Sequence, residues 1–259
     1  MLGAIAGDVI GSVYEFLSVK STDFPLFREE SFFTDDSVLT VAVGAAILDG
    51  RDYASVLREF GRRHRGRGYG SRFFEWLHDS TMGPYESWGN GSAMRVSPVA
   101  RAHSDERRVL EEARRSAEVT HNHPEGIRGA EAVALAIFLA LHGADKREIK
   151  TRVAAYSGYS LDQTVDEIRP HHKFNESCAG CVPESILCFL ESNDFEEAVR
   201  LAISLGGDAD TMACIAGSIA EAHYGGVPQH IAAPVRERLA PDLLEVLDRY
   251  EARFPLPAR

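Results

Sequence analysis

Apolar residues recur at spacings of three and four along 35–49, 53–63, 105–118, 125–142, 183–192, 194–205, 210–224 and 238–252. That is the period of one buried helix face. Alternating β-branched runs are nearly absent, and Val153-Ala154-Ala155-Tyr156 is too short and too alanine-rich to carry a strand. Two helices hold stripes of small residues, Val41-Ala42-Val43-Gly44-Ala45-Ala46 and Ala213-Cys214-Ile215-Ala216-Gly217-Ser218. Small side chains let helix axes approach closely, so these two are expected to be central and packed on each other. The pattern predicts an all-α fold, a compact orthogonal helical bundle. No linker, repeat or low-complexity segment divides residues 1–259, which are expected to form a single domain. The stretch from Gly66 to Gly91 is glycine- and aromatic-rich and long for a structureless connection, and such loops are usually functional.

Composition adds limits. A chain of 259 residues lies within the roughly 250–300 that one core can serve, so it can hold a deep site without disulfide support. No run of 18 apolar residues spans a membrane, and Met1-Leu2-Gly3-Ala4-Ile5-Ala6-Gly7-Asp8 lacks the basic leader of a secretory signal. The formal charge of −11 argues against coating a nucleic-acid backbone, which takes clustered Lys and Arg. Arg62-Arg63-His64-Arg65-Gly66-Arg67 is the local exception, either a solvated loop or a contact for phosphates or an acidic partner. Cys178 and Cys181 form a Cys-x-x-Cys near His171 and His172, but a second pair at zinc spacing is missing. They read as packing residues, as do Cys188 and Cys214, and the expected compartment is the cytoplasm.

Two acidic clusters change the picture. Thr34-Asp35-Asp36-Ser37 precedes the apolar helix at 38–49, and Gly206-Gly207-Asp208-Ala209-Asp210-Thr211 precedes the one at 212–224. Helix N-termini favour ionised carboxylates, and Asp, Ser and Thr are ordinary N-caps. Capping explains one carboxylate per helix, not two. Four carboxylates and two threonine hydroxyls form a hard, all-oxygen set suited to Mg²⁺, Mn²⁺ or Ca²⁺. Their mutual repulsion suggests two cations rather than one. Between the clusters lies Ser87-Trp88-Gly89-Asn90-Gly91-Ser92-Ala93-Met94-Arg95, where Gly-Asn-Gly offers left-handed backbone and free N–H groups, the makings of an anion nest or of a plain turn. Thr120-His121-Asn122-His123-Pro124 follows, and a histidine there is either a cap, a buried hydrogen-bonder or a site residue.

The order of these segments, opened by Ala6-Gly7-Asp8-x-x-Gly11-x-x-x-Glu15-Phe16, resembles the ADP-ribosylglycohydrolase family, which includes the dinitrogenase reductase-activating glycohydrolases. The likeness runs from about residue 3 to about residue 228. It implies an all-α fold with two Mg²⁺ or Mn²⁺ ions held by Thr34, Asp35, Asp36, Asp208, Asp210 and Thr211. It matches Glu15 to a mobile glutamate that reaches the metal or the scissile bond. Ser87, Trp88, Gly89, Asn90 and Gly91 match a diphosphate cradle, and His121 a residue beside the adenosine end. Ala209 departs from the threonine of many members, and Trp88 from a smaller residue.

On this resemblance the chain is a hydrolase that removes ADP-ribose from a modified acceptor, by water attack on the anomeric carbon of the distal ribose. Glu15 or a metal-bound aspartate such as Asp36 would be the general base. The expected partners are an ADP-ribosylated protein, with arginine ahead of serine, and the ADP-ribose product. Nucleic acid enters only as the modified acceptor, and a monomer is expected. Acceptor choice should lie in 62–88 and 156–182. The alternatives are a non-catalytic ADP-ribose-binding module, a structural use of the fold, or another two-metal hydrolase such as a phosphoesterase.

Overall fold

In the computed structural model, which describes residues 1–257, helices are the regular structure, with one isolated bridge between Gly89 and Ser177. The α-helices are, in order, α1 (Leu2–Gly11), α2 (Asp35–Asp49), α3 (Tyr53–Arg63), α4 (Ser71–His78), α5 (Gly91–Met94), α6 (Ser97–Ala102), α7 (Glu106–Glu118), α8 (Pro124–Leu141), α9 (Lys146–Ser157), α10 (Val165–Ile168), α11 (Val182–Glu191), α12 (Phe195–Ser204), α13 (Ala209–Tyr224), α14 (Gln229–Arg238) and α15 (Pro241–Arg253). Sequence-level punctuation sets many of the ends. Asp52, Asp105, Asp145 and Asp194 cap α3, α7, α9 and α12 through their side chains. Gly50, Gly158 and Gly225 close α2, α9 and α13 in left-handed geometry.

The centre is the α1–α13 pair. Every residue of α1 is buried, as expected of a helix that is apolar on all sides. Gly3, Gly7 and Gly11 lie on one face at the i, i+4 spacing, and that face meets α13 backbone to backbone. A Cβ on Gly3 would lie 2.4 Å from the Gly217 carbonyl oxygen, and one on Gly7 2.0 Å from that of Ala213. At Gly11 it would lie 2.4 Å from Asp210 Cα. Glu221 of α13 locks the far end: its carboxylate takes the Met1 α-ammonium at 2.6 Å, the Gly3 N–H at 2.9 Å and Arg101 at 3.4 Å.

This corrects one expectation. The small-residue stripes of α2 and α13 are both central, but they do not pack mainly on each other. α13 rests chiefly on α1 and α12, whereas α2 packs mainly on α3, α15 and α6. The Gly44 stripe of α2 faces Met1 and Tyr250 instead.

Other departures have local causes. α14 contains Pro234, which removes a backbone donor and reads as a breaker. α15 starts at Pro241 rather than 238 because Leu239 and Ala240 are extended. α9 buries only Ile149, Val153 and Ser157, a stripe too thin to stand out. The stretch from Gly66 to Gly91 is not structureless: α4 buries Phe73, Trp76 and Leu77 within it.

Candidate active site

α2 and α13 both begin at one cavity of about 670 Å³, a size that suits a small-molecule ligand. Thr34 is the N-cap of α2, and its Oγ1 accepts from the Asp36 N–H at 3.3 Å. That leaves Asp35 and Asp36 free of capping duty. At α13 the N-cap is Asp208, which makes no side-chain cap bond. Gly206 and Gly207 turn the chain into it with φ of 70° and 90°, a left-handed pair that other residues rarely adopt. Glu15 follows the end of α1 on its exit turn, half-buried at the same cavity. All thirteen residues singled out above, from Glu15 to Thr211, line this one cavity.

The carboxylates are crowded and have little compensation. One oxygen each from Glu15, Asp208 and Asp210 lies within 4.8 Å of the others. Thr211 Oγ1 donates to Asp36 Oδ2 at 3.2 Å, tying the two helix ends together. Asn90 Nδ2 donates to Asp208 Oδ2 at 2.7 Å. Burial, then neighbouring carboxylates, push Asp35, Asp36 and Asp210 well above the usual range. Burial also raises Asp208. Glu15 is held at about 7 by burial first and then by the charges of Asp208 and Asp8.

Among the described residues no arginine of the cavity wall forms an ion pair with these carboxylates. Arg67 donates to the Phe33 carbonyl, Arg72 pairs with Glu75, and Arg95 serves Ser116 and Thr120. Among the described residues Asp36 Oδ1 is buried with no hydrogen-bond partner, and an unpaired buried carboxylate oxygen is costly. A hard all-oxygen cluster with an orphaned carboxylate atom fits divalent cations of the Mg²⁺ or Mn²⁺ type.

The 85–91 segment forms the opposite wall. Its shape differs from the expected left-handed nest: Gly89 and Gly91 have negative φ, and Asn90 is in the right-handed helical region. The space beside the glycines is tight instead. A Cβ on Gly91 would come within 3.2 Å of His121 Nε2, and one on Gly89 within 3.3 Å of Ser87 Oγ and 3.6 Å of that nitrogen. The Asn90 N–H donates to the Glu176 carbonyl at 2.7 Å and Cys178 N–H to the Trp88 carbonyl at 3.0 Å, so 88–90 is braced by 176–178. Cys178 and Cys181 are buried free thiols in this brace. His121 is buried, and burial together with the Arg95 guanidinium holds it well below the usual histidine range.

The ADP-ribosylglycohydrolase profile matches residues 1–257. The chain belongs to the ADP-ribosylglycohydrolase family. Within that family it is 29% identical to ADP-ribosylhydrolase ARH3 of Mus musculus, over 87% of this chain and 82% of that protein. It is also 29% identical to ADP-ribosylarginine hydrolase Tri1 of Pseudomonas putida (strain GB-1), over 88% of this chain and 71% of that one. A solved structure titled ADP-ribosylglycohydrolase-related protein complex superposes with a TM-score of 0.73 at 25% identity, covering 97% of this chain and 96% of its own. Membership makes the chain a glycosyl-bond hydrolase.

Two residues at this candidate site escape residue-by-residue reading of the sequence. Asp8 is fully buried in α1 and accepts from Thr34 N–H at 3.0 Å, Thr34 Oγ1 at 2.7 Å, Ser37 N–H at 3.1 Å and the Ser37 hydroxyl. It therefore fixes the N-terminus of α2, and with it the direction of Asp35 and Asp36. A single acid inside the apolar run Leu2–Gly11 was its signal, since buried charge needs partners. Arg95 is fully buried on the cavity wall, with Nε and Nη1 unpartnered among the described residues. It is the last residue of the Gly89-Asn90-Gly91-Ser92-Ala93-Met94-Arg95 segment.

Proposed function

We propose that this chain cleaves the bond between ADP-ribose and a modified acceptor, with two Mg²⁺ or Mn²⁺ ions, and that a mono-ADP-ribosylated arginine side chain is the first acceptor to test. The observation that carries the reading is the meeting of both acidic clusters, Glu15 and the 87–91 wall in one cavity of about 670 Å³. A non-catalytic binding module would tolerate loss of an acidic ligand, and all four aspartates are present. For the acceptor, the rim supports a cationic group: Phe16 and Phe174 are exposed beside Glu15 and Glu176, and aromatic faces attract cations. The four buried free cysteines suit the cytoplasm.

In this reading Thr34, Asp35, Asp36, Asp208, Asp210 and Thr211 hold the cations. When bound, the cations supply charge neutralisation and a water nucleophile at neutral pH. Asp8 keeps Thr34 and the first turn of α2 in place, and Asn90 keeps Asp208 turned toward the cluster. Glu15, half-buried on a turn and held at about 7, takes the proton of the attacking water. The 87–91 wall and His121 orient the diphosphate and adenosine parts, so much of the acceleration is positioning.

Glu15→Gln tests the assignment by separating binding from chemistry. Calorimetry should give an ADP-ribose affinity within about tenfold of the parent, roughly 1.4 kcal/mol, while single-turnover cleavage falls at least about a hundredfold. A variant that binds and cuts like the parent would remove Glu15 from the reaction.

A further inference from the structure

Behind the 87–91 wall lies a hydrogen-bond chain for which the proposed cleavage has no direct use. Arg95 Nη2 donates to the Ser116 carbonyl and to Thr120 Oγ1, both at 2.9 Å. Thr120 Oγ1 lies 2.7 Å from His121 Nδ1. All three side chains are buried. A guanidinium only donates, so the Thr120 oxygen must accept from Arg95. Its own O–H then needs an acceptor, and among the described residues its remaining partner is His121 Nδ1.

The arrangement that satisfies both the Thr120 hydroxyl and His121 Nδ1 has the hydroxyl donating and Nδ1 accepting. The reverse, Nδ1–H donating to Thr120, leaves the hydroxyl proton buried and unpaired at a cost of about 1–3 kcal/mol. A doubly protonated ring has the same fault and adds a positive charge beside the Arg95 guanidinium. The ring proton of the neutral imidazole therefore sits on Nε2. That nitrogen faces Gly89 and Gly91, across the cavity wall on which His121 lies.

We propose that Thr120, held by Arg95, is a positioning residue that locks His121 as its Nε2–H tautomer, so that the ring presents a hydrogen-bond donor to an oxygen of the ligand lying along Gly89–Gly91. The ligand's identity rests on the ADP-ribose reading, but the tautomer does not. The recognised group is an acceptor oxygen, a hydroxyl or a phosphate. Gly89 and Gly91 keep the approach to Nε2 clear, since a methyl on Gly91 would come within 3.2 Å of it.

Histidine-selective ¹⁵N labelling tests the tautomer directly, with His121→Asn identifying the His121 signals by their loss. The expected spectrum has a pyridine-type Nδ1 and a pyrrole-type Nε2 that persist from pH 8 to pH 5.5. A pyrrole-type Nδ1, an averaged pair of shifts, or titration within that range overturns the proposal. Thr120→Ser should keep the signature and bind ADP-ribose within about twofold of the parent. Thr120→Val, confirmed as folded by circular dichroism, should lose the signature and weaken ADP-ribose binding by about tenfold, while Thr120→Ser restores both. If Thr120→Val does not fold, the parent and Thr120→Ser spectra still decide. Failure of the parent to bind ADP-ribose would count against the ligand reading and leave the nitrogen shifts to decide the tautomer.

Discussion

Gly11→Ala should impair the enzyme from a position that carries no functional group. Gly11 ends α1 in ordinary helical geometry, so alanine has no backbone penalty there. Its Cβ, however, would sit 2.4 Å from Asp210 Cα and 2.8 Å from the Ala209 carbonyl and the Asp210 amide nitrogen. Ordinary van der Waals contact starts at 3.4 Å, so the helices must part by about 1 Å at this end. Every obstructing atom is backbone, so no rotamer change can relieve the clash. Overpacking of this kind costs about 1–3 kcal/mol. For a chain of this length each kcal/mol lowers the melting midpoint by about 2–4 °C.

The larger effect falls on the site, because the displaced atom carries a proposed ligand. A shift of about 1 Å in a reacting geometry can cost on the order of a hundredfold in rate. The assay is release of ADP-ribose by folded Gly11→Ala at saturating metal, beside urea unfolding. Gly44→Ala is the contrast: its Cβ meets Met1 Sδ at 2.9 Å, the flexible end of a side chain, and mid-helix Gly to Ala gains up to about 1 kcal/mol. It should be near neutral in both assays. Parent-like turnover in Gly11→Ala would show that α1–α13 contact does not set the carboxylate geometry.

Three further outcomes follow from the same geometry. Asp36→Asn should lower turnover by at least about a hundredfold with helical circular dichroism intact, and near-normal activity would reduce the cluster to a helix end. Adding Mg²⁺ or Mn²⁺ to chelator-treated protein should raise its thermal midpoint with concentration, by about 2.7 kcal/mol of stability at a hundred times Kd, and the rise should shrink in Asp36→Asn; a midpoint indifferent to either ion would contradict the ligand set. Glu221→Gln should cost about 3–5 kcal/mol at pH 7 by leaving Arg101 and the α-ammonium unpaired in the core; because its partners hold Glu221 below the usual 4.5, the contribution is present above that pH and lost as pH falls through the lowered value, so parent and variant should converge in acid, and a gap that stays constant would contradict the pairing.

Much of this was legible from residue order. Helices with one apolar face, such as α3 and α7, announce themselves because burial on one side fixes the period. The paired aspartates were legible because capping accounts for only one polar group per helix, and Thr34 fills that role at α2. α9, α14 and the true partner of α13 were not. A thin buried face or an internal proline hides a helix, and glycines spaced by four do not say which helix they will meet. Gly-Asn-Gly predicts left-handed turns, whereas in the fold Gly91 leaves room for His121, some thirty residues away. Contacts of that kind exist only once the chain has folded.

The central claim is tested most directly by incubating the protein with a mono-ADP-ribosyl-arginine peptide and its serine counterpart, in Mg²⁺, in Mn²⁺ and in excess chelator, and identifying the product. Intact ADP-ribose should be released from the arginine peptide faster than from the serine one, with none in chelator and recovery when metal is restored. Full release in chelator with metal shown to be absent, or release of phosphate in place of ADP-ribose, would contradict it.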